Sequence, residues 1–456
     1  MFTRFAVNSY QSPALSLSAQ RVVNARTVPA QQGSRTQTPV FRLPGVKSAL
    51  TAAGPIRGAS LVGSALVIVA GEGVYSVSSD HTATLLGTIP GTGYCPSAAG
   101  VDKAVFLANG DGYVVTTTVT AITDADFLPS TQVVWTDGYF VFLAADRIFV
   151  SDFGDPLNYQ ALAFDSISWA QQQPTAIIAE GRDLIQFGPR AMAIASNRGT
   201  IPYPFGLNSD GFIERGCLAP RSPAKLDQSV FWLADDRTVR VLRGNTPQRV
   251  STEALEQLFA RFDTLDDAFG LAISQDGTFS YVLTFPSEGR TFEYSVGTGL
   301  WNERASYGSD RWQVEGHIEA YGRQYVWSGN KLGYLDPETY TEWGDPQVVT
   351  LTSESLSAGP NWIHFDRVEL DLDVGVGLIT GQGSDPQIGL RYSDDGGKTW
   401  GTTYFRGVGK IGETRKRVPF TRHGRSRNRV YQLTYSDPTP FAFYGAWINE
   451  EQVLAA

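Results

Sequence analysis

AVFLANGDGYVVTT, Ala104 to Thr117, reads as an apolar run, a tight turn at NGDG and a second apolar run. That is the pattern of two short strands joined by a hairpin. The same unit recurs at AGEG (from Ala70), AADR (Ala144), FGPR (Phe187), ADDR (Ala234), PSEG (Pro286) and SGNK (Ser328). Around the ADDR turn, for example, SVFWL precedes and TVRVL follows. Successive turns lie between 35 and 52 residues apart. A period of roughly 40–50 residues with several strands per unit is the signature of a β-propeller, whose blades cannot bury both faces alone and close radially. Seven hairpins predict seven blades, or six if one hairpin closes the ring or is decoration. A plain series of sandwich hairpins is the simpler alternative, and the period weighs against it.

Composition agrees with an all-β chain. The 456 residues are 42% hydrophobic and 18% charged, with 47 Gly, 24 Pro and 12% aromatics, enough for a sizeable core and many tight turns. Formal net charge is −9, spread along the chain. A protein that grips nucleic acid through its phosphates carries a basic balance, so general DNA affinity is not expected. Arg supplies thirty of the 37 basic residues, and Arg suits bidentate carboxylate pairing at interfaces. Cys95 and Cys217 offer no disulfide framework and no Cys-based zinc site. The opening MFTRFAVNSY has no apolar signal-peptide core, and no run reaches the length of a membrane span. The expectation is a soluble protein, not exported by the usual route.

Along the chain, residues 1–45 read as a polar, irregular segment and 46–344 as the propeller. Within it EALEQLFARFDTLDDAFG places Leu255, Leu258, Phe259 and Phe262 on one face of a helix, expected near 252–268. Ser251 or Thr252 can cap that helix, and Glu253 complements its dipole. A core-packing role is the reading preferred for it. After the polar YTEWGDP, residues 345–456 read as a separate C-terminal β-sandwich with strands at VVTLTS, FDRVELDLDV, QIGLRYS, RVYQLTYS and AFYGAWINE.

One motif hints at chemistry. YSDDGGKTW, Tyr392 to Trp400, contains Ser-x-Asp-x-Gly-x-Thr-Trp through Ser393, Asp395, Gly397, Thr399 and Trp400. It looks like the Asp-box hairpin of sialidases and other propeller enzymes that process glycans. Here it occurs once and outside the blades, and the motif is a turn device: Asp395 accepts backbone N–H bonds, Gly396 and Gly397 permit positive φ, and Trp400 packs beneath. A glycosidase needs a pair of carboxylates, or a Tyr–Glu pair, flanking a sugar, and no such pair stands out. GVGKIG, Gly407 to Gly412, matches GxGxxG but is followed by strand-like ETRKRVPF, where a dinucleotide site needs a helix. His81, His317, His364 and His423 are scattered, and Asp371 and Asp373 alternate on a strand as solvated faces commonly do. No catalytic set, metal site or cofactor is read.

The sharpest charge feature is RKRVPFTRHGRSRNR, which holds Arg415, Lys416, Arg417, Arg422, Arg425, Arg427 and Arg429 with no acidic residue. In a strand Arg425, Arg427 and Arg429 would share one face. Guanidinium groups so close repel unless carboxylates or phosphates answer them. A solvated face, a nucleic-acid contact and an acidic subunit or partner interface are the three readings, and the seven residues are taken as a candidate interface.

Five stretches in order resemble one family. They are SAQRVVNARTVPAQQGSRTQTPVFRLPGVKSAL from Ser18, GRDLIQFGP from Gly181, VSTEALEQLFARFD from Val250, TFEYSVGTGLWNERAS from Thr291, and RVPFTRHGRSRNRVYQLTYSDPTPFAFYGAWIN from Arg417. Together they span almost the whole chain and resemble the packaged-DNA stabilisation proteins of short-tailed bacteriophages, also called tail nozzle, hub or head-to-tail accessory proteins. The Asp-box-like hairpin is a departure that does not define that family. The resemblance implies a structural virion tail protein, assembled in the host bacterial cytoplasm. It implies a ring, usually a homo-hexamer, below the portal and adaptor rings, which lines the DNA channel and retains the genome until ejection. Genomic double-stranded DNA would pass without sequence-specific binding. Tail fibres or tailspikes, and in some phages a tail needle, would dock on it. The rival readings are a sialidase-like propeller glycan hydrolase and a non-catalytic glycan-binding tail protein.

Overall fold

In the computed structural model, each of the seven turns picked out above joins the second and third strands of a four-stranded antiparallel blade; five blades are separate sheets, and the last two are parts of larger ones. The structure describes every residue except 1, 4, 6, 168–172, 276 and 450–456, with the backbone alone at 2 and 3. Blade one runs Ile56–Val62, Ala65–Ala70, Gly73–Val77, Ala83–Thr88, and blades two to six repeat this meander, their first strands beginning at Ser97, Ser130, Ala176, Ala224 and Phe269. The NGDG turn works because Asn109 and Gly110 both take positive φ, 53° and 93°, the twist that a two-residue hairpin between right-twisted strands demands.

Blade seven closes the ring. Its inner strands Gly316–Ala320, Arg323–Ser328 and Lys331–Asp336 are completed by Gly45–Thr51 from the start of the propeller, antiparallel to Lys331–Asp336. The seven-blade alternative is therefore the one observed. Apolar side chains gather between neighbouring blades. Phe106 of blade two packs with Val67 and Val69 of blade one, and Trp327 and Tyr325 of blade seven pack with Ile56 and Ile68 of blade one. Each blade buries both faces only because its neighbours are present, which is why the sheets close radially.

The inserted helix spans Glu253–Phe259, shorter than the 252–268 expected. Thr252 occupies the N-cap position without a side-chain cap, and the Ser251 hydroxyl bonds Glu256 instead, at 2.5 Å. Leu255 and Phe259 enter the core between blades five and six, with Leu258 and Phe262 against its edge. The apolar spacing ran on past the helix because Phe262 reaches the same core from a turn.

Two sheets form the sandwich. One orders Ala25–Thr27, Val40–Arg42, Ala442–Ile448, Arg367–Leu372 and Val418–Thr421. The other orders Ala19–Val23, Val349–Thr352, Asn428–Tyr435, Gln387–Ser393 and Tyr404–Gly407. Between them lies a core of Val349, Leu351, Phe365, Leu390, Phe420, Tyr431 and Phe443 among others. The 1–45 segment is thus not irregular: Tyr10–Gln11, Ala19–Val23, Ala25–Thr27 and Val40–Arg42 are strands of the sandwich sheets, and the sandwich does not begin at 345. The local pairs, Tyr10–Gln11 with Ala19–Gln20 and Ala25–Thr27 with Val40–Arg42, are only two or three residues long, and Arg21 to Val23 pair with residues about 300 positions away.

The same segment ties the two domains into one sheet. Val23 pairs in parallel with Glu303 of blade six, while Arg21 to Val23 pair antiparallel with Thr350 to Thr352. The Glu303 carboxylate is 3% exposed and accepts from Arg21 (2.7 and 3.1 Å) and Arg290 (2.7 Å). Asn24 donates to the carbonyls of Ala305 (2.7 Å) and Val348 (2.9 Å), one on each side of the junction. Buried Arg42 donates to the carbonyls of Tyr340, Gln347, Asp437 and Thr439, again drawing both domains onto one side chain.

Burial alone would raise the Glu303 carboxyl, but Arg21 and Arg290 outweigh it and hold the pKa at about 2. Its stabilising contribution is therefore complete above about pH 4.5, the unfolded value, and is lost as pH falls towards 2. Glu303→Ala strands two guanidinium groups in the junction and should cost about 3 kcal/mol in denaturant unfolding at pH 7, with a smaller deficit at pH 3. Glu342 behaves oppositely. Burial pushes it up to about 7 against the Ser306 hydroxyl and Arg304, while Trp312 Nε1 donates to it at 2.9 Å. Its charged form is disfavoured, so its cost appears as pH rises from about 4.5 to 7. Glu342→Gln should raise the melting temperature at pH 8 and leave it nearly unchanged at pH 4.5.

Candidate interface site

The Asp-box hairpin is a closed hydrogen-bonded knot. Asp395 Oδ1 accepts from Ser393 Oγ (2.6 Å) and from the N–H groups of Lys398 (2.9 Å) and Thr399 (3.0 Å), and Oδ2 accepts from Thr399 Oγ1 (2.6 Å). Gly397 N–H donates to Ser393 Oγ at 2.8 Å. The Ser393 and Thr399 hydroxyls, with the backbone donors, hold the Asp395 pKa far below the usual carboxylate range. Both oxygens are occupied by the turn, so this carboxylate has no free lone pairs convergent on a substrate. Gly396 and Gly397 take φ of 80° and 95°, and a Cβ on them would meet Ser16 and Ala19 at 2.8 and 2.9 Å. The turn thus seats the N-terminal segment on the sandwich. Trp400 lies under the Arg391 guanidinium at 5.0 Å.

The seven basic residues do not form one face. Arg429 is buried, with a side chain 1% exposed. Its Nε and Nη2 donate to Asp394 at 2.8 and 3.0 Å, its Nη1 donates to the His423 carbonyl at 2.7 Å, and it stacks between Phe365 (4.5 Å) and Tyr392 (4.2 Å). It is a core cation, and it leaves the exposed group. The shared-face expectation fails because the chain bends at Arg427, between Arg425–Ser426 and Asn428–Tyr435, so alternation does not carry through. Burial and the cations of Arg429 and Arg406 lower neighbouring His423 to about 4, leaving its ring neutral in the aromatic cluster of Tyr392, Phe420 and Tyr431.

Arg417 is bound bidentately by Glu369 (2.6 and 2.7 Å), which also takes Arg367 (2.6 Å). Lys416 approaches Glu413 at 3.9 Å. Arg415, Arg422, Arg425 and Arg427 are exposed, and among the described residues none has a carboxylate partner. Arg425 and Arg427 instead stand over one indole, Trp362, at 4.9 and 4.8 Å, and that ring is 54% exposed. Ile363–His364 pairs with Arg425–Ser426, and this short ladder brings Trp362 to the two arginines. Nothing in the sequence reading pointed to Trp362 or Asp394, because both meet the arginines through pairings 35 or more residues apart.

A second concavity lies on the propeller axis, a cavity of about 800 Å³ lined by the innermost strands. Gln132 reaches across it, donating to the Pro220 carbonyl and accepting from Ile177 N–H, both at 2.8 Å. Arg221 stacks on Tyr94 at 3.7 Å. This volume is that of a small-molecule pocket and cannot admit a nucleic-acid duplex. Among the described residues no group of three or more His, Cys, Asp and Glu is placed to hold a metal ion, and no helix is long and apolar enough to cross a membrane.

Arg429→Ala should cost about 2 kcal/mol, from the emptied aromatic slot and the lost bonds to the His423 carbonyl and to half-exposed Asp394. Arg425→Ala and Arg427→Ala should each stay within about 0.5 kcal/mol of wild type. Urea melts of the three variants separate the core arginine from the surface ones.

Comparison with known proteins accounts for both halves of the chain. A family model described as bacteriophage P22 Gp10, beta-propeller, matches residues 9–340, and one described as bacteriophage P22 Gp10, beta-sandwich, matches residues 349–451. No curated protein sequence matches. Similar solved structures include the computationally designed Ika8 protein, at 16% identity and TM-score 0.41, covering 70% of this chain and 99% of that one. PorZ of Porphyromonas gingivalis is 13% identical over 71% of this chain and 44% of its own, at TM-score 0.41. A catalytically inactive virginiamycin B lyase from Staphylococcus aureus is 11% identical over 65% of this chain and 99% of its own, at TM-score 0.45. With the propeller and the sandwich both matched in order, the chain belongs to the bacteriophage P22 Gp10 family of structural phage tail proteins.

Proposed function

We propose that this protein forms a ring, a homo-hexamer, below the portal and adaptor rings of a short-tailed phage, enclosing the path of the DNA and helping to retain the genome until ejection. The observation that carries the reading is the family match over both domains. The axial cavity adds a physical constraint: at about 800 Å³ and bridged by Gln132, the propeller hole is no passage for a duplex. A DNA conduit built from this chain must run between subunits. The formal charge of −9 suits such a wall, since repeated acidic subunits repel a passing polyanion and keep it from sticking. The continuous sheet from blade six into the sandwich supports a load-bearing role, because a hinge there would have to break backbone hydrogen bonds. Tail fibres, tailspikes and a needle are the partners expected to dock outside or below the ring. The function is mechanical, with no turnover.

The glycan hydrolase reading is not favoured, because its one motif is a turn whose carboxylate is consumed by the turn itself. Negative-stain images of the purified protein or of tails should show rings with a central hole, and fluorogenic glycosides should remain uncleaved. A monomer in both preparations, or glycoside turnover abolished by a single carboxylate substitution, would overturn the proposal.

A further inference from the structure

Two surfaces of opposite charge lie on different domains of the molecule. The first is the Trp362 patch of the sandwich, where Arg425 and Arg427 flank the indole and Arg422 is exposed in the preceding loop. An exposed Trp held between two Arg side chains has the composition of a protein-binding hot spot. Its cations have no carboxylate within the chain among the described residues, so a fitting partner is acidic and carries apolar side chains.

The outer edge of blade three answers that description. Its outer strand Asp155–Asp165 is eleven residues long, whereas those of blades one, two, five, six and seven have three to seven. Only Asp155, Tyr159, Phe164 and Asp165 of it pair with Ile148–Asp152, across two register shifts, so its middle bulges outward from the ladder. Phe153 is 71% exposed and Leu162 73%. Around them Asp124, Asp126, Asp152 and Asp155 form no ion pair among the described residues. Asp152 and Asp155 accept only from the amides of Gln160 and Asn158 and from Leu157 N–H, and nearby Lys103 turns to the Gly154 carbonyl and Asp102.

The position of this edge follows from the ring. The sandwich is anchored at blades six and seven, through Val23 on Glu303 and through Arg42. In a closed ring of seven, the member farthest from the seam between six and seven is blade three. The basic patch and the acidic edge therefore lie far apart on one chain and cannot satisfy each other within it. They can do so between copies, each sandwich meeting the blade-three edge of the next. Such a contact is head-to-tail and generates a closed ring when the rotation allows.

We infer that the Trp362–Arg425–Arg427 patch docks on the blade-three edge around Phe153 and Asp152 of a second copy of this chain, and that this heterologous contact builds the ring. The inference rests on the ring reading above. Two variants test it: Arg425→Glu with Arg427→Glu, and Asp126→Lys with Asp152→Lys. Arg425, Arg427 and Asp126 are exposed and Asp152 is half-buried, losing only the Gln160 amide bond, so thermal melts should stay close to wild type. Each variant alone should lose about tenfold or more of its ring fraction by size exclusion and negative stain, since like charges then face each other. An equimolar mixture should recover most of it, because in alternating order every contact again joins opposite charges. Native mass spectrometry should find the two variants one to one in the recovered rings. Rings from either folded variant alone at the wild-type level would overturn this pairing and leave the ring reading standing. So would a mixture that fails to recover. A wild type that forms no ring, free or in tails, would instead overturn the ring reading itself.

Discussion

Glu303 is the constraint on which the two-domain architecture depends. A carboxylate with 3% of its side chain exposed is tolerable only when its charge is answered, and here two guanidinium groups answer it from different parts of the chain. Arg290 belongs to the same blade. Arg21 belongs to the N-terminal strand that lies between blade six and the sandwich. The ion pair thus selects where that strand goes, and the strand in turn offers its other edge to Val349–Thr352. Removing the strand would leave blade six and the sandwich with facing, unpaired backbone edges, each of which costs free energy when buried without a partner.

From that junction the rest follows by closure. The chain leaves the N-terminal strand through Ala25–Thr27 and Val40–Arg42 of the second sandwich sheet and then supplies Gly45–Thr51 as the outer strand of blade seven. The first propeller strand is thus hydrogen-bonded to the last blade before blade one begins. The ring cannot open without breaking this ladder, and the sandwich cannot swing without breaking the one at Val23. Arg42 fastens the two together through carbonyl oxygens alone, and burial with no carboxylate partner lowers its pKa to about 10. A cation in that position is costly unless every N–H is bonded, so it fixes the geometry of the four segments around it.

The parts of this fold legible in the sequence were those encoded locally. A blade hairpin needs apolar strands and a turn with positive φ, and both fit within about a dozen residues, as at Ala104–Val115 with Asn109 and Gly110. What escaped was encoded non-locally. QRVVN shows no clean alternation, because Arg21 to Val23 pair with strands near 303 and 351 and only Gln20 pairs locally, with Tyr10. The helix was overextended because Phe262 continues an apolar spacing that serves the core from a turn. The arginine face was misjudged for a related reason. A bend at Arg427 resets the alternation, and Asp394, from the Asp-box hairpin, draws Arg429 inward.

That last displacement changes what the Asp-box hairpin means. Its Ser393, Asp395 and Thr399 bonds hold the turn, and the turn holds Asp394 against Arg429, which fills the slot between Phe365 and Tyr392. The motif that suggested sugar chemistry therefore neutralises one arginine of a dense basic run and supports the aromatic core beneath it. Glu369 performs the same service for Arg417. What the fold leaves unanswered is narrower than the run of basic residues suggests. Arg415, Arg422, Arg425 and Arg427 remain, the last two over an indole that is more than half exposed. In a chain that elsewhere meets its buried arginines with carboxylates or carbonyls, charges left over beside an exposed Trp are the part of the surface built to be completed by something else.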